Sequence, residues 1–284
     1  MDQLWDYTQN PIKHEVWDLR FTKIEYLPNK KNEPQRFFYE TNIGFGLAVS
    51  GTGETIIEMN KNSGDRVSSL KFGTDHLLSI IKEGRGYWKY IQTKKGITFL
   101  TQYDYDTNHG WAGKVIDRWM FRPLLGWATA WSFDALKIWI EKGDHPRQLF
   151  RQFIMYWISS AVIAFVWIYH GLVPKLLFVH PEEISMFSAL FPALPATTAV
   201  KGIGICEIIF GLLWLLPVRR KNWFLIHIGL LLMLTAAAAF AGIGVFLHPF
   251  NPASLHVALI GISIIGWINA DNLPSAGNVK RKRG

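Results

Sequence analysis

Residues 223 to 245 read WFLIHIGLLLMLTAAAAFAGIGV, a run of 23 residues without a charged side chain. A helix of about 20 apolar residues spans the ~30 Å hydrocarbon core of a bilayer and pairs its own backbone polar groups there. The run therefore predicts a transmembrane helix. Similar runs lie on both sides of it, so it indicates that the C-terminal half is a helical membrane domain.

Four apolar runs lie in this half of the chain. The predicted spans are Phe153–Val173, Val200–Leu216, Trp223–Val245 and Ser254–Ile268. The second and fourth have 17 and 15 residues, so we expect them to borrow flanking residues or to cross with little tilt. Residues 1–150 contain 38 Asp, Glu, Lys and Arg side chains, whereas the last 134 residues contain 14. This division predicts a soluble domain followed by an all-α four-helix transmembrane bundle.

Basic residues near the span ends indicate the orientation, because Lys and Arg are retained on the cytoplasmic side. With four spans, eleven basic residues lie on the side of the soluble domain and two on the other. The eleven are Lys137, Lys142, Arg147, Arg151, Arg219, Arg220, Lys221, Lys280, Arg281, Lys282 and Arg283, and the two are Lys175 and Lys201. We therefore expect a multi-pass protein with its N-terminal domain and its C-terminus in the cytoplasm. The basic tail is expected to be solvated or to meet anionic headgroups.

Composition excludes two classes of protein. The net charge is +8, but 20 Lys and Arg against 18 Asp and Glu leave residues 1–150 at only +2, so we expect no nucleic-acid partner. The one cysteine, Cys206, excludes an internal disulfide or a dithiol relay formed by this chain alone. We expect Cys206 to be a small buried residue of the second span.

Short segments rich in β-branched and aromatic residues predict an antiparallel sheet before the membrane half. The predicted strands are Leu19–Leu27, Arg36–Ile43, Glu54–Asn60, Val67–Phe72, Tyr87–Thr93 and Ile97–Tyr105. Turn signals at 62–65 and 94–96 join neighbouring strands as hairpins. A helix is then predicted from Gly113 to Lys142, with an apolar stripe that includes Trp127 and Trp131. Asp18 and Arg20 could be polar groups of a pocket, but we expect them to form an exposed ion pair.

Two segments of this half carry a family resemblance. They are the opening, with Leu4-Trp5, Thr8-Gln9-Asn10-Pro11, His14 and Trp17-Asp18-Leu19-Arg20-Phe21, and the helix from Asp117-Arg118-Trp119 to Trp131-Ser132-Phe133. Both resemble the bacterial branch of the START-like or SRPBCC superfamily. The resemblance implies an α+β helix-grip fold that holds an apolar ligand between a sheet and one long helix. The strand with which that superfamily begins is missing before the first helices.

The membrane half resembles a second family. The segments are Val166-Trp167-Ile168-Tyr169-His170-Gly171-Leu172-Val173-Pro174-Lys175, His180-Pro181-Glu182-Glu183, Gly204 to Glu207, Gly211 and His248-Pro249-Phe250-Asn251-Pro252. Over about residues 150–270 they resemble the DoxX-like membrane family, which implies a respiratory or redox setting in a bacterial plasma membrane. The expected domains are 1–146 (cytoplasmic, START-like), 147–272 (DoxX-like) and 273–284 (basic tail).

Glu207 is the most informative candidate site residue, because an ionisable group within a span must pair, protonate or face a polar cavity. His170 and His227 are its expected partners, and Trp127 and Trp131 are the expected ligand contacts in the soluble domain. A carboxylate and imidazole cluster suits a quinone headgroup, a proton relay, or a metal or haem. A single interhelical hydrogen bond from Glu207 explains the same pattern. Lys175 and His170 near the end of their span are expected to meet headgroups.

Two functions of different classes follow. The first is a binding protein whose cytoplasmic domain holds a lipid, an isoprenoid or a quinone-like molecule in association with the membrane bundle. The second is an accessory subunit of a quinol-linked oxidoreductase that uses Glu207 and the span histidines. No catalytic triad, metal cluster or nucleotide motif is visible in the sequence, so whether the protein is an enzyme stays open. Membrane lipid, an apolar small molecule or quinone and oxidoreductase subunits are the expected partners.

Overall fold

The chain folds into two compact units. The computed structural model describes residues 1–29, 33–44, 46–59, 64–218, 220–249 and 251–280. Unit 1 comprises Met1–Arg147 and Pro274–Gly284, and unit 2 comprises Gln148–Leu273. The segment that follows the last apolar helix thus belongs to the same unit as the N-terminal residues.

Unit 1 begins with two short helices, α1 (Asp2–Gln9) and α2 (Pro11–Trp17), which precede a six-stranded sheet. The strands are β1 (Lys23–Tyr26), β2 (Gln35–Gly44), β3 (Leu47–Met59), β4 (Arg66–Gly73), β5 (Ile81–Thr93) and β6 (Gly96–Thr107). They pair in sequence order, and each pair is antiparallel. The predicted antiparallel meander is confirmed, as is the turn before Gly96. The other predicted turn, at 62–65, lies partly outside the described residues.

One nearly continuous helical segment follows the sheet. It consists of α3 (Gly110–Ile116), a π-helical turn (Asp117–Phe121) and α4 (Arg122–Lys142). The predicted helix is therefore present, but it starts three residues earlier and is interrupted by the π-helical turn. Leu136 of α4 packs in the core of unit 1 with Trp17 of α2 and with Trp88 and Tyr90 of β5. The long helix is thereby fixed to both the sheet and the opening helices.

Three aromatic rings of the sheet lie against glycines on neighbouring strands. The pairs, each directly opposite in the register, are Tyr39 with Gly51, Phe37 with Gly53 and Phe72 with Gly84. A Cβ atom added to Gly51 would lie 2.6 Å from Cζ of Tyr39, and the other two glycines are approached as closely by their rings. Each ring therefore occupies the space that a side chain on the opposite residue would fill, and it lies close to the sheet backbone.

The C-terminal segment folds onto α4. The backbone N–H of Ser275 donates to Oδ2 of Asp134 at 2.5 Å, and the side-chain amide of Asn278 donates to the same oxygen at 3.0 Å. Asp134 is 5% exposed, so these donors satisfy a buried carboxylate. The expectation of a solvated tail is wrong for this part, because a buried acceptor on α4 fixes it. Arg281 to Arg283 lie outside the described residues.

Unit 2 is helical. It contains α5 (Pro146–His170) with a π-helical turn (Gly171–Leu177), α6 (Pro181–Leu190), α7 (Ala196–Trp214), α8 (Lys221–Ala241), a 3-10 turn (Ile243–Leu247) and α9 (Pro252–Ile268). Among the described residues, three helices are long and apolar enough to cross a membrane: Pro146–Leu177, Ala196–Trp214 and Lys221–Ala241. The apolar helix α9 is shorter, at 17 residues. Three predicted spans are thus confirmed as apolar helices, whereas a fourth crossing stays a prediction.

The helix ends of unit 2 follow their sequence signals. Pro181 is the first residue of α6, and the side chain of His180 accepts the N–H of Glu182, as expected for a helix start. Asn251 caps α9 by accepting the N–H of Ser254 at 3.0 Å. The expected burial of Cys206 is wrong, because its side chain is exposed on α7. If α7 lies in a membrane, lipid provides the apolar surroundings that a buried cysteine finds in the core of a soluble protein.

Candidate functional site

Unit 1 contains a partly open cavity of about 780 Å³ between the sheet and the helical segment that follows it. This volume is within the ~300–1,000 Å³ of small-molecule sites, which are mostly apolar with a few polar groups. Most side chains on its wall are apolar or aromatic. From the sheet they include Ile24, Phe37, Tyr39, Leu70, Phe72 and Trp88, and from the helical segment Ile116, Met120, Phe121, Leu124, Leu125 and Ala128. The wall therefore suits an apolar molecule.

One charged cluster adjoins this apolar wall. The Arg20 guanidinium, which lines the cavity, donates to both carboxylate oxygens of Asp18, at 2.8 Å from Nε and 2.6 Å from Nη2. Nε2 of His14, another wall residue, lies 3.0 Å from Oδ2 of Asp18. The Asp18 side chain is 0% exposed and that of Arg20 12%. The expectation of an exposed ion pair is therefore wrong, because α2 and the cavity remove this pair from water.

The charge state of this cluster follows from its contacts. Burial alone would raise the pKa of Asp18, but the charges and hydrogen bonds of Arg20 and His14 hold it well below its usual range. Asp18 is therefore ionised and neutralises Arg20. Burial also raises the pKa of Tyr39 to about 12, so this wall hydroxyl keeps its proton and can donate a hydrogen bond.

The two tryptophans predicted as ligand contacts lie elsewhere on the helix. Trp131 is 1% exposed in the interior of unit 1, and Trp127 is 37% exposed. The cavity wall is formed by the neighbouring residues Leu124, Leu125 and Ala128. Because these wall residues are apolar too, hydrophobicity alone does not distinguish them from Trp127 and Trp131.

Polar residues on the inward face of α4 are held by hydrogen bonds. Thr129 shares a hydrogen bond of 2.9 Å with the Tyr103 hydroxyl, and the Ser132 hydroxyl accepts the N–H of Leu19 at 2.9 Å. These bonds connect the helix to β6 and to the segment after α2. A pattern that counts only apolar positions cannot find this face.

Unit 2 contains a buried ionic cluster around Glu207. Nζ of Lys175 lies 3.1 Å from Oε2 of Glu207 on α7 and 3.2 Å from Oε1 of Glu183 on α6. The three side chains are 9%, 14% and 29% exposed respectively. The expectation that Lys175 meets headgroups is wrong, since this lysine turns inward to two carboxylates. With both carboxylates ionised, the cluster carries one net negative charge.

Two glycines bring the elements of this cluster together. A Cβ atom on Gly204 of α7 would lie 2.7 Å from the carbonyl oxygen of Gly171 and 2.8 Å from Cβ of Lys175. Only residues without a side chain allow this approach of α7 to the π-helical turn. π-Helical turns occur often at functional sites, because they redirect the side chains that follow.

His227 belongs to a separate chain of hydrogen bonds. Nε1 of Trp167 donates to Nε2 of His227 at 2.8 Å, and Nδ1 of His227 lies 2.7 Å from Oγ of Ser263. The Ser263 hydroxyl in turn donates to the Leu259 carbonyl at 2.7 Å. This order of donors requires a neutral His227 with its proton on Nδ1. The imidazole is 0% exposed and joins α5, α8 and α9.

The hydrogen bonds and ion pairs of the described residues do not join Glu207 to His227. The ionic partner of Glu207 is Lys175, whereas His227 binds Trp167 and Ser263. His170 ends α5 and is partly buried. Among the described residues, no three His, Cys, Asp or Glu side chains converge as metal ligands. A role for these residues in ligand binding stays a prediction.

Comparison with known proteins places the chain in a family of membrane proteins. It is 44% identical over 288 residues to the "Uncharacterized membrane protein YndG" of Bacillus subtilis (strain 168), which covers 100% of this chain and 94% of that protein. The chain belongs to the family of YndG. Residues 164–264 match the DoxX-like family, and this region contains both the Lys175 cluster and His227. No solved structure matches the chain.

Proposed function

We propose that unit 1 is a START-like domain that binds an apolar ligand, in association with the DoxX-like membrane region. The observation that carries the proposal is the cavity of about 780 Å³ with its apolar wall. A molecule that fills an apolar cavity of this size would make many van der Waals contacts with its wall and would stabilise the domain. A sheet that faces one long helix supports the assignment to the helix-grip class.

The polar groups at the wall define the class of ligand further. Arg20 and His14 lie at the cavity, and Oγ1 of Thr101, another wall residue, is buried without a hydrogen-bond partner in the described structure. An unpaired buried hydroxyl costs about 1–3 kcal/mol, which a polar group of a ligand would offset. The proposed ligand therefore has a long apolar body and a small polar end, as lipids, isoprenoids and quinone-like molecules have.

Purified full-length protein is expected to carry a reproducible apolar molecule in native mass spectrometry and in solvent extracts. The double variant Thr101→Phe, Ala128→Trp fills the cavity from both walls and should lose most of that molecule. The control, Leu100→Phe with Glu141→Trp, places the same bulk at exposed positions of β6 and α4 and should retain it. Equal ligand content in both variants, or an empty wild-type protein, would show that the cavity is not the binding site.

We also propose that unit 1 and the C-terminus lie in the cytoplasm and that α9 is a fourth crossing. The contact of Ser275 and Asn278 with Asp134 supports this topology, because the chain returns to unit 1 after α9. A return to the same side of the bilayer requires an even number of crossings. The 17 residues of α9 span about 25 Å as a helix, close to the hydrocarbon thickness. The basic residues counted above favour the cytoplasmic side.

Reporter fusions test this topology. A fluorescent protein fused after residue 284 is expected to be bright, and alkaline phosphatase fused after Gly284 to be inactive. Alkaline phosphatase fused after Phe191, between α6 and α7, is expected to be active. An active phosphatase at the C-terminus would contradict four crossings.

The alternative is an accessory subunit of a quinol-linked oxidoreductase. The arrangement of two carboxylates, Glu183 and Glu207, around one lysine favours it, because such a cluster can hold an extra proton within the membrane region. We expect Glu207→Gln to abolish quinol oxidation by membranes if this function is right, with the amount of folded protein unchanged. Unaltered oxidation in that variant, or none in the wild type above a deletion strain, would reject it.

A further inference from the structure

The outward face of the helical segment from Gly110 to Arg122 exposes tryptophan to the surroundings of unit 1. Trp111 is 81% exposed, Trp119 is 78% exposed, and Val115 between them is 41% exposed. Their spacing of four residues places them on one stripe. Exposed indole rings in a soluble domain leave a large apolar surface in water, so this stripe requires an explanation.

A basic cleft lies on the same segment. Its volume is about 530 Å³, and its wall is formed by Tyr105, Asp106, Thr107, Lys114, Asp117, Arg118 and Arg122. Asp117 is 2% exposed and already accepts hydrogen bonds from Arg122 and from the Tyr105 hydroxyl. No salt bridge to Lys114 or Arg118 is seen in the part of the chain that the structure describes. Two cations without an ionic partner among the described residues, Lys114 and Arg118, therefore lie between Trp111 and Trp119 along the helix.

We propose that this face, Trp111 to Arg122, docks on the surface of a bilayer that contains anionic lipid. Indole rings prefer the headgroup level of a membrane, since they have an apolar body and a polar edge. Lys114 and Arg118 then meet the phosphates of anionic lipids, which attract each basic residue by about 1 kcal/mol. A helix with this division of aromatic and basic residues lies in the plane of the interface.

The chain connectivity favours a bilayer over a protein partner. Only residues 143–145 separate α4 from α5, which is part of a candidate membrane span. Three residues of extended chain reach about 10 Å, so the C-terminal end of α4 is tethered to the start of that helix. The positive charges of Lys114 and Arg118 are complementary to the negative headgroups of an anionic bilayer surface.

The docking face adjoins the cavity of unit 1. Ile116, Met120 and Leu124 of the same segment line the cavity and are 41%, 57% and 58% exposed. Docking would cover their exposed parts with lipid and open a route for an apolar molecule that avoids water. The docking proposal itself does not depend on what the cavity holds.

The test uses full-length protein with Cys206, the one cysteine, replaced by serine. Trp119→Cys is labelled with an environment-sensitive fluorophore, and the protein is placed in nanodiscs of phosphatidylcholine with or without phosphatidylglycerol. We expect blue-shifted emission, and quenching by a spin label at shallow acyl depth, in the phosphatidylglycerol discs. The control label at Ile57→Cys, a position 46% exposed on β3, should report water in both discs.

Charge reversal separates headgroup binding from simple aromatic insertion. Lys114→Glu with Arg118→Glu is expected to lower the ratio of docked to undocked protein by ~10-fold or more. Added salt should act in the same direction. A label at position 119 that reports water in both discs would overturn the proposal. Equal quenching in both discs that does not change on charge reversal would also overturn it. So would a blue shift of the label that depends on protein concentration in the absence of phospholipid, because it would indicate contact between copies of the protein.

Discussion

Replacing Lys175 by methionine is expected to destabilise unit 2 by about 3–5 kcal/mol. The variant leaves the carboxylates of Glu183 and Glu207 in a mostly buried site without the ammonium group that lies 3.2 and 3.1 Å from them. Removal of one partner from a buried ion cluster costs more than the cluster contributes, because the remaining charges have no compensation. Equilibrium unfolding in mixed detergent micelles, followed by circular dichroism, measures the change.

Two further variants identify the cause of that loss. Lys175→Met combined with Glu207→Gln removes one of the stranded charges and is expected to recover a large part of the stability. Lys201→Met changes an exposed lysine of α7 and should alter the unfolding free energy by less than about 0.5 kcal/mol. A Lys175→Met variant as stable as the Lys201→Met control would contradict the ionic cluster.

Replacing Asp18 by asparagine is expected to destabilise unit 1 by a similar amount, about 3–5 kcal/mol. The Arg20 side chain is 12% exposed, and the amide of asparagine cannot neutralise its charge. Hydrogen exchange of the α1, α2 and β5 amides in the full-length protein reports this loss. The control, Asp6→Asn, breaks an exposed pair with Lys13 and should have little effect. Equal protection in the two variants would contradict the buried pair.

The same pair predicts how the stability of unit 1 depends on pH. Burial opposes ionisation of Asp18, but Arg20 and His14 lower its folded-state pKa well below the unfolded value of about 3.9. The stabilisation is therefore fully present above about pH 4 and is lost as the pH falls towards the folded-state pKa. Hydrogen exchange as a function of pH should show a steeper acid loss in the wild type than in Asp18→Asn. Parallel profiles would mean that Asp18 is not held ionised by its neighbours.

Regular patterns in the sequence predicted the regular parts of the fold. The segment from Ile97 to Tyr105 appears as the expected strand, β6. The uncharged run from Trp223 to Val245 appears as the expected helix as far as Ala241, and Gly242 is the C-cap of α8. The six-strand meander follows from short strands joined by local turns. The local sequence is sufficient to predict such a sheet, because each turn brings two consecutive strands side by side.

The sites depend on features that no periodicity reveals. The π-helical turn at Gly171–Leu177 changes the direction of Lys175 relative to α5, so a lysine near the end of an apolar run faces α7. The contact of α7 with that turn requires two glycines far apart in sequence. On α4, hydrogen bonds place the polar Thr129 and Ser132 inward, whereas the apolar Trp127 is 37% exposed. Each case depends on a tertiary partner that the local sequence does not specify.

The glycine and aromatic pairs of the sheet set the depth of the cavity in unit 1. Phe37, Tyr39 and Phe72 line the cavity, and each lies low because the residue opposite has no side chain. A methyl group at position 51, 53 or 84 would lift a ring off the strands into the space that a ligand would occupy. Alanine at any of these three positions is therefore expected to make the cavity shallower at its sheet wall.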